Sequence, residues 1–251
     1  MPNLIELTLF LETALATHRY AAGEQGGIYV PSDRPICRIG LALEPPPDVA
    51  DWVRRNNLDA LWLHRPWHLN QAALPPDVGV LYHHLPFDET MTTGYNRRLA
   101  AALGLTDLEP LGYKTASDPA DAHLPPRPIG MLGMAPFRSF DEWKLLINKL
   151  FGGYDRAGLR SATSGRAEFG SVRVPEKVAV VGAMNPALIW EAHERGVCLY
   201  LTGEYRKSAQ EAVDETGMAV IAIGHRRTEE WGLQALADLF WERWPGLTVV
   251  E

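Results

Sequence analysis

Cysteine is scarce in this chain, 2 residues of 251. Cys37 and Cys198 each sit inside an apolar stretch, so they read as small buried hydrophobes rather than a disulfide or a metal pair, which suits a reducing cytoplasm. Positive charge is also short: 24 Lys and Arg against 31 Asp and Glu leave a formal net charge of −7. Affinity for a phosphate backbone comes mostly from Lys and Arg, so nucleic acid is not an expected partner. No apolar run approaches the roughly 20 residues that span a bilayer. The opening, Met1-Pro-Asn-Leu-Ile-Glu6, has no basic segment and meets an acid at once, so neither a membrane span nor a secretory signal is expected. Familiar short signatures are missing as well. Gly182-Ala-Met-Asn-Pro186 follows an apolar run but is neither a Walker loop nor G-x-G-x-x-G, and no G-x-S-x-G occurs.

What is present is the composition of a globular protein, 46% hydrophobic and 22% charged. Leu4, Leu7, Phe10, Leu11 and Leu15 predict a helix over 3–17. Apolar runs at 39–43, 60–64 and 78–82 read as strands, followed by an Ala/Leu helix near 95–103. Pro119, Pro125, Pro126 and Pro128 mark 113–128 as a connector. Beyond it come a strand at 128–132, a helix opened by Ser139 with Glu142 three residues on, and a Gly/Arg-rich, strand-like stretch to residue 174. Strand and helix then alternate at 177–181, 187–195, 197–201, 206–215, 218–223 and 229–244. Strands separated by helices in this way predict the α/β class, with mixed, mostly parallel sheets.

The chain also matches itself. The segment 39–64 can be laid on 178–203 without a gap, each copy reading strand, Pro-containing turn, Trp-bearing helix (Trp52, Trp190), strand. Further on, His84 with Asp88 follows one strand and His225 with Glu229 follows another. Two His-x-x-x-carboxylate units thus stand at matching places in two halves: 1–112 with His64 and His84/Asp88, and 129–251 with His225/Glu229.

In open α/β sheets ligands gather at the carboxyl ends of strands. Imidazole with carboxylate is a ligand set for Zn, Fe or Mn, and a His with an acid four residues on can aim both groups at one point. Among the other histidines, His68 is a possible late ligand, and His83 is expected on the opposite strand face from His84. Arg226 and Arg227 read as a solvated pair able to meet an anion.

The motifs form a family pattern. Leu61-Trp-Leu-His-Arg-Pro66 resembles the hydrophobics-His-His-Pro segment of the Nif-three-like family (NGG-one-interacting factor three), whose bacterial members are often labelled GTP cyclohydrolase I type 2. His84-Leu-Pro-Phe-Asp88 resembles its H-T-x-L-D, and Arg127-Pro-Ile-Gly-Met-Leu132 its G-R-I-G-x-L. Thr202-Gly-Glu204 resembles its T-G-E, and Gly224-His-Arg-Arg-Thr-Glu229 its G-H-x-x-[ST]-E. The matches run in order over nearly the whole chain. The resemblance implies two intertwined, similar α/β halves, toroidal homohexamers, and a dinuclear metal site facing an internal cavity. Its ligands fall on His64, Asp88, His225 and Glu229, while Arg65 stands where the family has a second His. The family's glycine-rich turn is altered at 182–186.

A guanidinium carries only donors and a permanent charge, so Arg65 cannot ligate a cation. One metal per subunit is therefore expected rather than two. Arg65 is expected to stand in for the second ion, neutralising Asp88 or Glu229 or offering a fork to a substrate phosphate. The other course is that it turns to solvent and His68 or His84 supplies the missing ligand. The expected function is a metal-dependent hydrolase of a nucleotide or other phosphate-containing small molecule, with His84 or Glu204 as proton carrier. The alternative is a non-catalytic, ring-shaped metal-binding or regulatory protein. Trp62, Trp67, Trp143 and Trp231 read as loop residues suited to contacts in the expected hexamer.

Overall fold

Asn3 opens the first helix, α1 (Leu4–Ala14), through a capping box: Glu6 N–H donates to Asn3 Oδ1 and Asn3 N–H to the Glu6 carboxylate, both at 2.9 Å. Leu4, Leu7, Leu11 and Leu15 are at most 1% exposed. Each is worth roughly 1.5–3 kcal/mol in burial, which holds this amphipathic helix down. The structure, a computed structural model, describes residues 1–136, 138–158 and 176–251. They divide into two compact units, Met1–Phe87 with Ala116–Pro125 and Gly232–Glu251, and Asp88–Thr115 with Pro126–Trp231.

In the first unit, β1 (Gly27–Val30), β2 (Arg38–Ala42), α2 (Val49–Asn56), β3 (Ala60–Leu63) and β4 (Gly79–Tyr82) follow α1. β2, β3 and β4 are neighbours and parallel, and β1 lies antiparallel on β4. Every residue of β3 is buried, as expected of a parallel strand covered on both faces. Asp59 pins the start of this frame, accepting from the amides of Cys37 (2.8 Å) and Arg38 (2.9 Å). Helix α3 (Leu85–Met91) then carries the chain into the second unit.

That unit contains α4 (Arg97–Leu103), β5 (Thr106–Pro110), a ribbon of β6 (Tyr113–Lys114) with β7 (Arg127–Pro128), β8 (Gly130–Ala135), α5 (Phe140–Phe151), β9 (Arg156–Gly158), β10 (Glu176–Val181), α6 (Pro186–Glu194), β11 (Val197–Thr202), α7 (Gln210–Thr216) and β12 (Ala219–Ala222). Among the described residues its main sheet runs β5-β8-β10-β11-β12-β9, with β10, β11 and β12 parallel. Strand residues alternate between two cores. Val178, Val180 and Leu201 join the side of Trp143, whereas Ala179, Val181 and Tyr200 join the side of Ile189. Ser139 and Glu142 form the expected capping box. Helix α8 (His225–Arg243) returns the chain to the first unit, where β13 (Thr248–Val250) pairs parallel with β2.

Several expectations need correction. Residues 88–112, grouped above with the first half, and 113–115, grouped with the connector, cluster with the second unit, where β5 pairs with β8. Cys37 and Cys198 are free and exposed rather than buried, since an apolar stretch still turns some of its positions outward. Trp62 lies in β3 and Trp143 in α5, at 0% and 2% exposure; both fill their own unit's core, so they offer nothing to a subunit contact. The strand-like reading of the stretch to residue 174 meets β9, and its part from residue 159 on lies outside the described residues. No helix among the described residues is long and apolar enough to cross a membrane.

Candidate metal centre

In each unit three adjacent parallel strands end in the residues that matter. The first unit's ends are in step: His64 N–H donates to Ala42 O (3.1 Å) and Arg65 N–H to Leu43 O (2.8 Å). His64 is completely buried, with Nδ1 3.0 Å from the His83 carbonyl oxygen. A carbonyl only accepts, so Nδ1 carries the proton and Nε2 the lone pair, the tautomer a metal-ligating imidazole needs. The His84 ring lies 4.9 Å from it, centroid to centroid. The exposed Trp67 meets His84 edge-on at 5.0 Å. His83 faces away, as expected. Its Nδ1 accepts from Trp62 Nε1 at 3.1 Å, and burial pushes its pKa down to about 3, so it is neutral.

Arg65 has a partner that no motif announces. Its Nε (3.0 Å) and Nη2 (2.6 Å) donate to Glu44 Oε1, just past β2. The parallel register of β2 and β3 creates this pair across 21 positions of sequence. His68 is exposed.

In the second unit, Gly224 makes the turn from β12 into α8 with φ of +110°, and a Cβ there would stand 2.7 Å from Arg227 Nη1. Only glycine fits. The turn sets His225 at the head of α8 and Glu229 one helical turn on, with His225 Nε2 3.0 Å from Glu229 Oε1. Glu229 is 1% exposed, whereas the His225 side chain is 59% exposed. Asp88, on α3, completes the group: it, His225 and Glu229 each offer a ligand atom within 4.8 Å of the others. An ion pair braces α3 beside Asp88, Arg127 Nε to Glu89 Oε2 at 2.9 Å, with side-chain exposures of 3% and 12%. Sequence reasoning missed this pair, although Arg127 sits in a quoted motif. Arg226 pairs with Glu230 and Arg227 with Asp155, so these arginines brace α8 rather than wait for an anion. Glu204 is exposed and pairs with Arg206 at 2.7 Å. With Gly182, Met184 and His225 they line a cleft of about 710 Å³.

The donor set suits a cation. Two carboxylates and one imidazole converge, one carboxylate is buried, and a buried carboxylate is costly without compensating positive charge. A divalent ion would supply such charge, and mixed N/O donors fit Zn, Fe or Mn.

Comparison with known proteins gives the same frame. The profile of the Duf34/NIF3 (NGG1p interacting factor 3) family matches residues 2–251. A "GTP cyclohydrolase 1 type 2 homolog" of Pyrococcus abyssi is 27% identical, over 97% of this chain and 95% of its own. Two solved structures share the fold. Reduced HcgD from Methanocaldococcus jannaschii has a TM-score of 0.67 at 20% identity, covering 99% of this chain and 97% of that one. A Bacillus cereus protein related to NIF3 has a TM-score of 0.65 at 14% identity, covering 99% and 96%. With the family's profile matched from residue 2 to residue 251, this chain belongs to the Duf34/NIF3 (NGG1p interacting factor 3) family.

Proposed function

We infer that this protein is a metal-dependent hydrolase of phosphate-containing small molecules, nucleotides among them, with Asp88, His225 and Glu229 at the heart of its metal site. The observation that carries the reading is the buried Glu229 carboxylate, grouped with a second carboxylate and an imidazole within 4.8 Å. Bound there, a divalent ion would act as a Lewis acid and lower the pKa of its water. The chain's own residues do the rest. Asp88 and Glu229 hold the charge, α8 fixes His225 beside them, and Arg206 steadies Glu204 at the mouth of the cleft. There Glu204 can pass a proton between substrate and solvent.

One metal per subunit follows from Arg65, which is engaged with Glu44 and cannot ligate. Mass spectrometry is expected to find about one equivalent in the parent protein, rising to two in Arg65→His, where a third imidazole joins His64 and His84. Two equivalents in the parent would overturn the one-ion reading. A panel of nucleotides and phosphodiesters with added Mn, Zn or Fe tests the chemistry. Metal without turnover would favour the non-catalytic alternative. The reading extends to a homohexamer, as the family resemblance implies. Light scattering should give six times the 27.9 kDa chain mass, and a 27.9 kDa particle would refute it.

A further inference from the structure

Val181 pairs with Thr202 at the ends of β10 and β11, so Gly182 and Gly203 leave the sheet side by side. The backbone does not require glycine at either place. Neither has a positive φ, and a Cβ would come no closer to its neighbours than 3.6 Å at Gly182 and 3.5 Å at Gly203, ordinary contact. Gly130 differs, since a Cβ there would meet Val181 Cγ1 at 2.7 Å. Gly182 and Gly203 instead leave one spot open. A Cβ on Gly203 would lie 3.6 Å from Thr93 Oγ1 and 3.8 Å from His225 Cα. One on Gly182 would lie 3.9 Å from both Thr93 Oγ1 and the Gly94 amide nitrogen. Thr93 is 2% exposed, and among the described residues nothing hydrogen-bonds its hydroxyl. Its oxygen is not fully enclosed, so an unpartnered hydroxyl on an otherwise buried side chain faces space that a ligand can fill. Gly182 and His225 also line the cleft that holds Glu204.

We propose that this spot is a seat for a phosphoryl group of the substrate, with Thr93 Oγ1–H donating to one of its oxygens and the two glycines giving it room. A floor of main chain beside a hydroxyl and an amide nitrogen suits an oxygen-rich tetrahedral anion, held next to Asp88, His225 and Glu229. The proposal rests on the reading of a phosphate-bearing substrate and assigns Thr93 as the residue that binds it.

The test is calorimetric titration of metal-loaded protein with inorganic phosphate, and with acetate as the rival oxyanion. Parent, Thr93→Val, Thr93→Ser and Gly203→Ala are compared. Phosphate should bind about tenfold more weakly to Thr93→Val and Gly203→Ala, and with near-parent affinity to Thr93→Ser, as loss and retention of one charge-assisted hydrogen bond dictate. Metal per subunit should be unchanged in all four. The proposal is overturned if the parent binds no phosphate, if both weakened variants bind like the parent, or if acetate binds as tightly as phosphate. Should Thr93→Val not fold, Gly203→Ala decides, because a methyl fits there. If the parent takes up no metal, the metal-hydrolase reading fails. The same titrations on metal-free protein then decide the seat, Thr93-dependent binding supporting it and its absence overturning it.

Discussion

The two units build one frame and finish it with different chemistry. Strands β2, β3 and β4 of the first unit and β10, β11 and β12 of the second are each three adjacent parallel strands. In the first unit the strand ends carry imidazoles, that of His83 held neutral by burial, and the strand-end carboxylate Glu44 has a counterion built in as Arg65. In the second the strands run out into Gly182, Gly203 and Gly224, and two carboxylates face one imidazole at the head of α8. Topology brings side chains to the strand ends in both. What differs is the proposed source of balancing charge, an arginine of the chain in the first unit and a metal ion that the second unit's donor group would hold.

The largest test of that contrast is Glu229→Gln against Glu44→Gln. Removing the buried carboxylate should weaken metal binding by about 100-fold, at the upper end of what site partners contribute. Glu44→Gln should leave metal content unchanged and cost at most about 1 kcal/mol, because its ion pair is partly exposed. Metal analysis and urea melts measure both; equal metal loss in the two variants would erase the distinction.

A second contrast lies in pH. His83 of the first unit is held neutral, its pKa depressed from 6.5 to about 3 by burial. The unfolded chain takes up this proton more readily, so its contribution is intact above pH 6.5 and declines as pH falls towards 3. At pH 5 the loss is about 2 kcal/mol. In the second unit burial raises the Tyr200 phenol, whose hydroxyl donates to Ala183 O at 2.7 Å. That contribution is present below pH 10 and lost above it. Urea melts across the pH range should lose the acid limb in His83→Gln and the alkaline limb in Tyr200→Phe. An acid limb unchanged in His83→Gln would shift the cause to carboxylates.

The smallest effect should be the same in both units. Asn3 and Ser139 form matching capping boxes on α1 and α5. Asn3→Ala and Ser139→Ala should each cost about 1 kcal/mol. Thermal melts differing by much more than that would show that one box bears a load the other does not.

Much of this was legible in the sequence. The central strands are continuous apolar runs because both faces are covered, and α5 announces itself by a cap, whereas α8, expected from 229, begins four residues earlier at His225. Strands β1, β5 and β13 were not, since they are short and partly exposed, with burial patterns too weak to make an apolar run. The Arg65–Glu44 and Arg127–Glu89 pairs join residues far apart in the chain. Strand register and packing create them, and no local motif encodes either. Thr93 belongs to no motif, and its surroundings become visible only when β10 and β11 stand side by side.

The pairing of β13 with β2 has a consequence for the order in which the newborn chain can be completed. Every residue of the second unit, up to Trp231, leaves the ribosome before Gly232–Glu251, which the first unit needs. At about 5–20 residues per second, the final segment takes roughly 1–4 seconds to make. During that interval the second unit has all its residues while the first lacks β13. The edge of β2 that Thr248, Val249 and Val250 will cover stands open, able to pair with another chain. Vectorial synthesis thus leaves the unit that starts first to finish last.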